Sequence, residues 1–310
     1  AIAVFSTLLA GFGIIAAWSG VNPILQEDAS ATVSASFINR NSYATYAIFG
    51  VIANLAIYLH LTTGLESSGD LRMRGLRDFL ESFFSGVWIF ALGLLLCLAA
   101  VVLTQSRAGG VSGLLALLTF GVAYRFRGDR LNPILLAMLA AILGFVALSL
   151  ASGVTERLLA TGGEESRFQI YSLIVQGIAE RPLLGHGLGA FQDTFRAFVP
   201  LGQASAEWEL AHSSYLENAY ELGLPAAAAF YLALGWVAAV IARGCLTRRH
   251  HRSFACVALA CIVAGAFHSV FDFSLQMPAS AALFAAILGI GWTQAFSRES
   301  RRRGSRRGTE

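Results

Sequence analysis

The chain has 310 residues, of which 56% are hydrophobic and only 13% charged, with a mean hydropathy of +0.63. A soluble domain carries about 25% charged residues, so the composition excludes an ordinary water-soluble fold. The net charge is +3 and every one of the 22 basic residues is Arg; genome composition can produce such a bias, and no nucleic-acid partner follows from it.

Apolar runs near the length that crosses a bilayer recur at 1–19, 43–63, 83–104, 109–124, 131–152, 214–242, 254–274 and 277–296. Lipid offers the backbone no hydrogen-bonding partners, so each span must satisfy its own groups. No stretch shows the sustained alternation of a barrel strand. The expected fold is all-α: a polytopic transmembrane bundle of about eight spans, forming one integral membrane domain over 1–310. Ala1 already lies inside an apolar run and no signal peptide is visible, so further spans are expected to precede it. The four Cys (Cys97, Cys245, Cys256 and Cys261) show no metal spacing, and neither a disulfide nor thiol chemistry is expected.

The connecting segments alternate between two sides. One set (64–82, 125–130, 243–253 and 297–310) holds 16 Arg, and the other holds six: Arg40, Arg107, Arg157, Arg167, Arg181 and Arg196. This is a positive-inside pattern. It places the Arg-rich tail 297–310 in the cytoplasm, where it meets anionic lipid, and a loop of about 153–212 outside. That loop is too long for a simple connector, and chemistry is expected there.

Within the loop, RFQIYSLIVQGIAERP sets Phe168, Ile170, Tyr171, Ile174, Val175 and Ile178 at helical spacing. This predicts an amphipathic helix ending before Pro182, suited to the outer leaflet surface. Gly185, Gly187 and Gly189 follow. A dinucleotide loop would need a flanking strand–helix unit, so a backbone bent tightly over a site is the better reading. His212 then stands at the mouth of the sixth span. Glu217, Asn218 and Glu221 lie in that helix's first turns, where acidic groups suit the dipole.

Five segments together resemble the O-antigen ligase and O-antigen polymerase superfamily: FINRNSYATY (37–46), TQSRAGG (104–110), ESRFQIYSLIVQGIAERPLLGHGLGAF (165–191), AHSSYLENAYELGLP (211–225) and HSVFDFSLQMPA (268–279). The family's second Gly after the His motif is replaced here by Ala226, and the chain is shorter than the family's usual dozen or so spans. The resemblance implies transfer of a glycan from a polyprenyl diphosphate carrier to an acceptor hydroxyl, at the outer face of a bacterial inner membrane. The acceptor would be lipid A core (ligase) or a second lipid-linked glycan (polymerase). It implies no metal and no cofactor.

Such chemistry needs a diphosphate clamp. The Arg fork binds phosphate oxygens bidentately and stays charged. It also needs a group to orient and deprotonate the acceptor, which suits His. Arg107 and Arg167 are therefore candidate clamps; otherwise Arg107 is an interfacial residue snorkelling to headgroups and Arg167 a partner of Glu164 or Glu165. His212 is the candidate for acceptor activation; otherwise it is a helix-mouth His held by backbone or Glu209. His268 and Asp272, four apart, are expected on one helix face, as an acidic wall or an interhelical lock. Asn39, Arg40 and Asn41 touch sugar or cap the second span. His186 is a further substrate contact, with a metal pairing to His212 unsupported by ligand spacing. Tyr215 and Trp208 are sugar-stacking rings or members of the aromatic belt.

Two other functions compete. A protein O-glycosylating enzyme would use the same groups. A transporter of a small anion would favour charges or broken helices at mid-membrane, whereas the polar groups here collect at the outer rim.

Overall fold

The computed structural model describes residues 1–22, 24, 27–28, 32–65, 86–125, 140, 144, 165–199, 209–247 and 252–296. Among these, ten α-helices build the fold. In chain order they are α1 (Ile2–Ser19), α2 (Arg40–Leu65), α3 (Val87–Leu103), α4 (Arg107–Arg125), α5 (Glu165–Glu180), α6 (Phe191–Phe195), α7 (Ser214–Leu222), α8 (Leu224–Thr247), α9 (Ser253–His268) and α10 (Pro278–Ala295). A two-residue antiparallel pair, β1 (Val21–Asn22) with β2 (Glu27–Asp28), is the one departure from all-α among the described residues.

Five of these helices are long and apolar enough to cross a membrane: α1, α2 over Arg40–Leu61, α4, α8 and α10. Two shorter apolar helices, α3 and α9, pack among them. The expected span at 131–152 lies outside the described residues but for Ala140 and Gly144.

The bundle is organised around α2. Its spanning window is 78% buried, against 11% for α8 and 17% for α10, so α2 is the axle and the last two present broad exposed flanks. Asn39 caps α2: its Oδ1 accepts the Asn41 N–H at 2.7 Å, satisfying a donor that the helix start leaves open. Pro278 opens α10 at a position that needs no donor.

Close helix packing in lipid requires small residues. A Cβ placed on Gly93 of α3 would lie 2.3 Å from Thr7 Oγ1 and 2.5 Å from Asn54 Oδ1. Gly93 thereby gives room to a polar knot in which Asn54 Nδ2 lies 2.9 Å from the Gly50 carbonyl and 3.3 Å from Thr7 Oγ1. The knot ties α1, α2 and α3 together inside the apolar bundle.

Two expectations are corrected. The sixth span does not begin at 214: Gly223, at φ 78 and ψ 161, ends α7 and separates it from α8. The seventh span ends at His268, six residues before 274, because the chain turns there into a 3-10 segment, Ser274–Gln276.

Gly93→Ala is expected to lower stability by about 1–3 kcal/mol through overpacking, read as a fall in the thermal unfolding midpoint of the purified protein in detergent micelles.

Candidate functional site

Asn41, Arg107, His212, Tyr215, His268 and Asp272 lie toward one end of the bundle. Arg252, at the start of α9, donates to the Tyr124 carbonyl at the end of α4. The two helices are therefore antiparallel, and the start of α4 lies level with the end of α9. A Cβ on Gly109 would sit 2.7 Å from Ala44 Cβ, which brings the first turns of α4 and α2 together. The Val33 N–H donates to the Leu103 carbonyl at 3.1 Å, adding the end of α3. Thus 39–41, 104–107 and 268–276 share one end, while Arg243 and Arg252 lie at the other.

The turn after α9 is the hub of that end. His268 is fully buried, and its Nδ1 is hydrogen-bonded to Ser274 Oγ at 2.8 Å. Ser274 Oγ in turn reaches the Asn41 carbonyl at 3.5 Å. Asp272 does not continue the helix face of His268, as the spacing suggested. Its Oδ1 accepts the Phe273 N–H at 2.7 Å, a local bond that competes with helix. Asp272 nonetheless stays beside His268, since its own N–H donates to the His268 carbonyl at 3.0 Å. Among the described residues, His268 Nε2 and Asp272 Oδ2 are both buried without a hydrogen-bond partner. Such orphaned atoms are uncommon and call for a reason.

The start of α7 docks on this hub. The Ser214 N–H donates to the Ser269 carbonyl at 2.9 Å and its Oγ to the Asp272 carbonyl at 3.1 Å. Tyr215 donates its hydroxyl to Ala266 at 2.9 Å and packs on Tyr231, so it joins α7 to the last turn of α9. Just upstream, the His212 ring stands 5.3 Å from the Phe273 ring, and the His212 carbonyl accepts from the Tyr171 hydroxyl at 3.0 Å. His212 adopts φ 51, a left-handed conformation shared among the described non-glycine residues with Ala35 and Gln105. Strained backbone of this kind concentrates at functional sites, and Gln105 stands two residues before Arg107.

Helices α5, α6 and α7 form a small unit with its own core. Ile170 and Ile174 of α5 are buried with Phe191, Phe195 and Tyr220. The apolar face of α5 therefore packs on α6 and α7, which corrects the expectation that it lies along the leaflet. The glycine run bends as expected, with positive φ at Gly185, Gly187 and Gly189. It clamps the α7–α8 break: His186 N–H donates to Tyr220, Gly187 N–H to Glu221 and Leu224 N–H to Pro182, at 2.8–2.9 Å. A Cβ on Gly185 would fall 2.3 Å from the Glu221 carbonyl oxygen. The His186 ring stacks on Tyr220 at 4.1 Å, and its Nε2 lies 2.9 Å from the Gly177 carbonyl. That nitrogen is therefore the protonated one, a donor held by the scaffold.

Between this clamp and the hub lies a cavity of about 380 Å³, lined by Gln192, Glu209, Glu217, Asn218, Glu221 and Gln276 among others. Glu217 and Glu221 are buried, at 5% and 6% exposure. Each uses one oxygen to hold a loop: Glu217 accepts the Ala211 N–H at 2.8 Å and Glu221 the Phe191 N–H at 3.0 Å. Burial pushes the Glu217 carboxyl up to about 7, with Glu221 adding to the rise and bonds from Ala211 and the Gln276 side chain opposing it. Neither carboxylate was singled out as a site residue from the sequence. Their i, i+4 spacing, which puts both on one face of α7, was the available signal. His212 lies next to this cavity along the chain without lining it.

Of the two candidate clamps, Arg107 is the exposed first residue of α4 and Arg167 the third residue of α5. Arg40 is exposed at the start of α2, beside Asn39 and Asn41. Trp208 lies outside the described residues, and all four Cys are free and buried.

Two outcomes are expected. Gly185→Ala should destabilise the outer-loop unit by about 1–3 kcal/mol or more, since the methyl meets a carbonyl and the backbone is left-handed; protease sensitivity between α5 and α7 would report it. Glu217, whose carboxyl is raised by folding, contributes stability in full below about pH 4.5 and loses it as pH rises through about 7. Glu217→Gln keeps an oxygen for Ala211 and should flatten the unfolding midpoint across that window.

The comparisons with known proteins bear on this geometry. No curated protein matches the chain. Residues 92–231 match the family model described as O-antigen ligase, a stretch that runs from α3 into α8 and contains Arg107, Arg167, His212 and the acidic face of α7. This stretch is thus similar to the O-antigen ligase family, and it lies in a bundle of apolar helices.

Proposed function

We propose that the protein transfers a glycan from a polyprenyl diphosphate carrier to an acceptor hydroxyl at the outer face of the bacterial inner membrane. The observation that carries this reading is convergence. Segments 39–41, 104–107, 212–221 and 268–276 come from separate parts of the chain and meet at one end of the bundle. That is the Arg-poor end, and the family match supports glycan transfer there.

In the proposed reaction the acceptor oxygen attacks the anomeric carbon, the carbon–oxygen bond to the diphosphate breaks, and the diphosphate leaves with the electron pair. Arg107 and Arg167 hold the diphosphate and stabilise its growing charge. His212 orients the acceptor hydroxyl and takes its proton. His268 and Asp272, with an unpartnered atom each, form the polar wall behind it. Asn41 and Tyr215 help shape that wall through Ser274 and Ala266. The cavity lined by Gln192, Glu217, Asn218 and Gln276 offers amides and carboxylates that match sugar hydroxyls, with the apolar side of Phe191 for a sugar's carbon face. The chemistry proposed needs neither metal nor cofactor, because the diphosphate is already a good leaving group.

Arg107→Ala, Arg167→Ala and His212→Ala should each abolish glycan transfer in a complemented deletion strain while the protein remains in the membrane fraction. Arg→Lys at 107 or 167 should also impair it, because a point charge cannot replace the fork. Normal surface glycan with any of the three Ala variants would remove that residue from the mechanism. The glycan phenotype of the deletion separates the variants of the reaction: unpolymerised single repeats mean a polymerase, long chains left on the carrier a ligase, and loss of protein-linked glycan a protein glycosylating enzyme.

A further inference from the structure

Three leucines stand uncovered on the tip of the glycine-rich loop: Leu183, Leu184 and Leu188, at 70%, 86% and 80% exposure. They are not on a loose strand. The backbone between them is tied to the α7–α8 break by the bonds from His186, Gly187 and Leu224, and a Cβ on Gly223 would fall 2.4 Å from the Leu183 carbonyl oxygen. The fold therefore holds these side chains out, on a rigid support, where no other part of the described chain covers them.

Their position says what does. The support is the first residue of α8, Leu224, itself 51% exposed, and α8 goes on to present Phe230, Leu232 and Trp236 outward at 48%, 73% and 66%. The leucines thus stand at the first turn of α8, a helix long and apolar enough to cross a membrane and exposed over most of its surface. Arg181, exposed just upstream, is placed as a cation is at the level of lipid phosphates. Adjacent exposed leucines are unfavourable in water and favourable in hydrocarbon.

We propose that the 183–188 loop is a hydrophobic foot seated in the outer leaflet of the bilayer. It anchors the α5–α7 unit and its cavity at headgroup height. Lateral movement of the unit away from the membrane, or rotation about Gly223, would pull the leucines into water, so the foot fixes the cavity against the point where a membrane-borne substrate emerges. This inference does not depend on which reaction the site performs.

The test replaces the four native Cys with Ala and introduces single Cys at Leu184, Leu188, Leu232 and Asp193, each labelled with an environment-sensitive fluorophore. The protein is reconstituted into phosphatidylcholine–phosphatidylglycerol vesicles containing a lipid with a nitroxide high on its acyl chain. Labels at Leu184 and Leu188 should show blue-shifted emission and lose more than half of it to the nitroxide lipid, as the Leu232 label on α8 does. The Asp193 label should remain water-like. Water-like, unquenched emission at Leu184 and Leu188 with Leu232 quenched would overturn the proposal. So would a blue shift without lipid quenching, which would mean a second protein surface covers the loop. A shift seen only after adding a polyprenyl diphosphate would overturn it in favour of a substrate-tail groove.

Discussion

The end of the molecule that carries the candidate site depends on two backbones lying against each other without side chains between them. Gly185 and Gly223 make that contact possible, since a Cβ on either would collide with a carbonyl of the other segment. Because the chain breaks at Gly223, α7 is a short interfacial helix and not the first turns of a span. Glu217 and Glu221 can then be buried under loops that they hold by hydrogen bonds. As residues of a continuous spanning helix they would face a far larger desolvation cost. The clamp also sets the place of Tyr220, on which His186 stacks and around which the small core of Phe191 and Phe195 is built.

Below that level the interior is kept almost free of charge. The polar knot of Asn54 and Thr7 is neutral and has partners within reach. The buried ionisable groups Arg252, His268 and Asp272 stand at or beyond helix ends. A bundle of this kind is an apolar scaffold that carries its polar groups at its two ends.

The rim itself is assembled by the turn after α9. Ser274 touches His268 on one side and the start of α2 on the other, and Asp272 and Ser269 offer carbonyls to Ser214. Groups that are 58 or 233 residues apart in sequence are brought within a few ångströms. The strain at His212 is held in place by this packing, through its ring contact with Phe273, as strained backbone must be.

Much of this architecture is legible in the amino-acid sequence because membrane insertion is governed by local, additive quantities. Apolar run length marks spans, and the Arg imbalance between connecting segments sorts one rim from the other. Arg107, His212, His268 and Asp272 were legible through the resemblance of their segments to a known family, and the structure brings them toward one end. The cap at Asn39 and the bend of the glycine run are likewise local features. The tertiary structure alone decided where α8 begins, that α5 packs on α7 and not on lipid, and that Glu217, Glu221 and Gln276 share a cavity. These outcomes depend on the conformation of single glycines and on hydrogen bonds between distant segments. An apolar run crossing Gly223 reads as one helix until the loop that clamps it is in place.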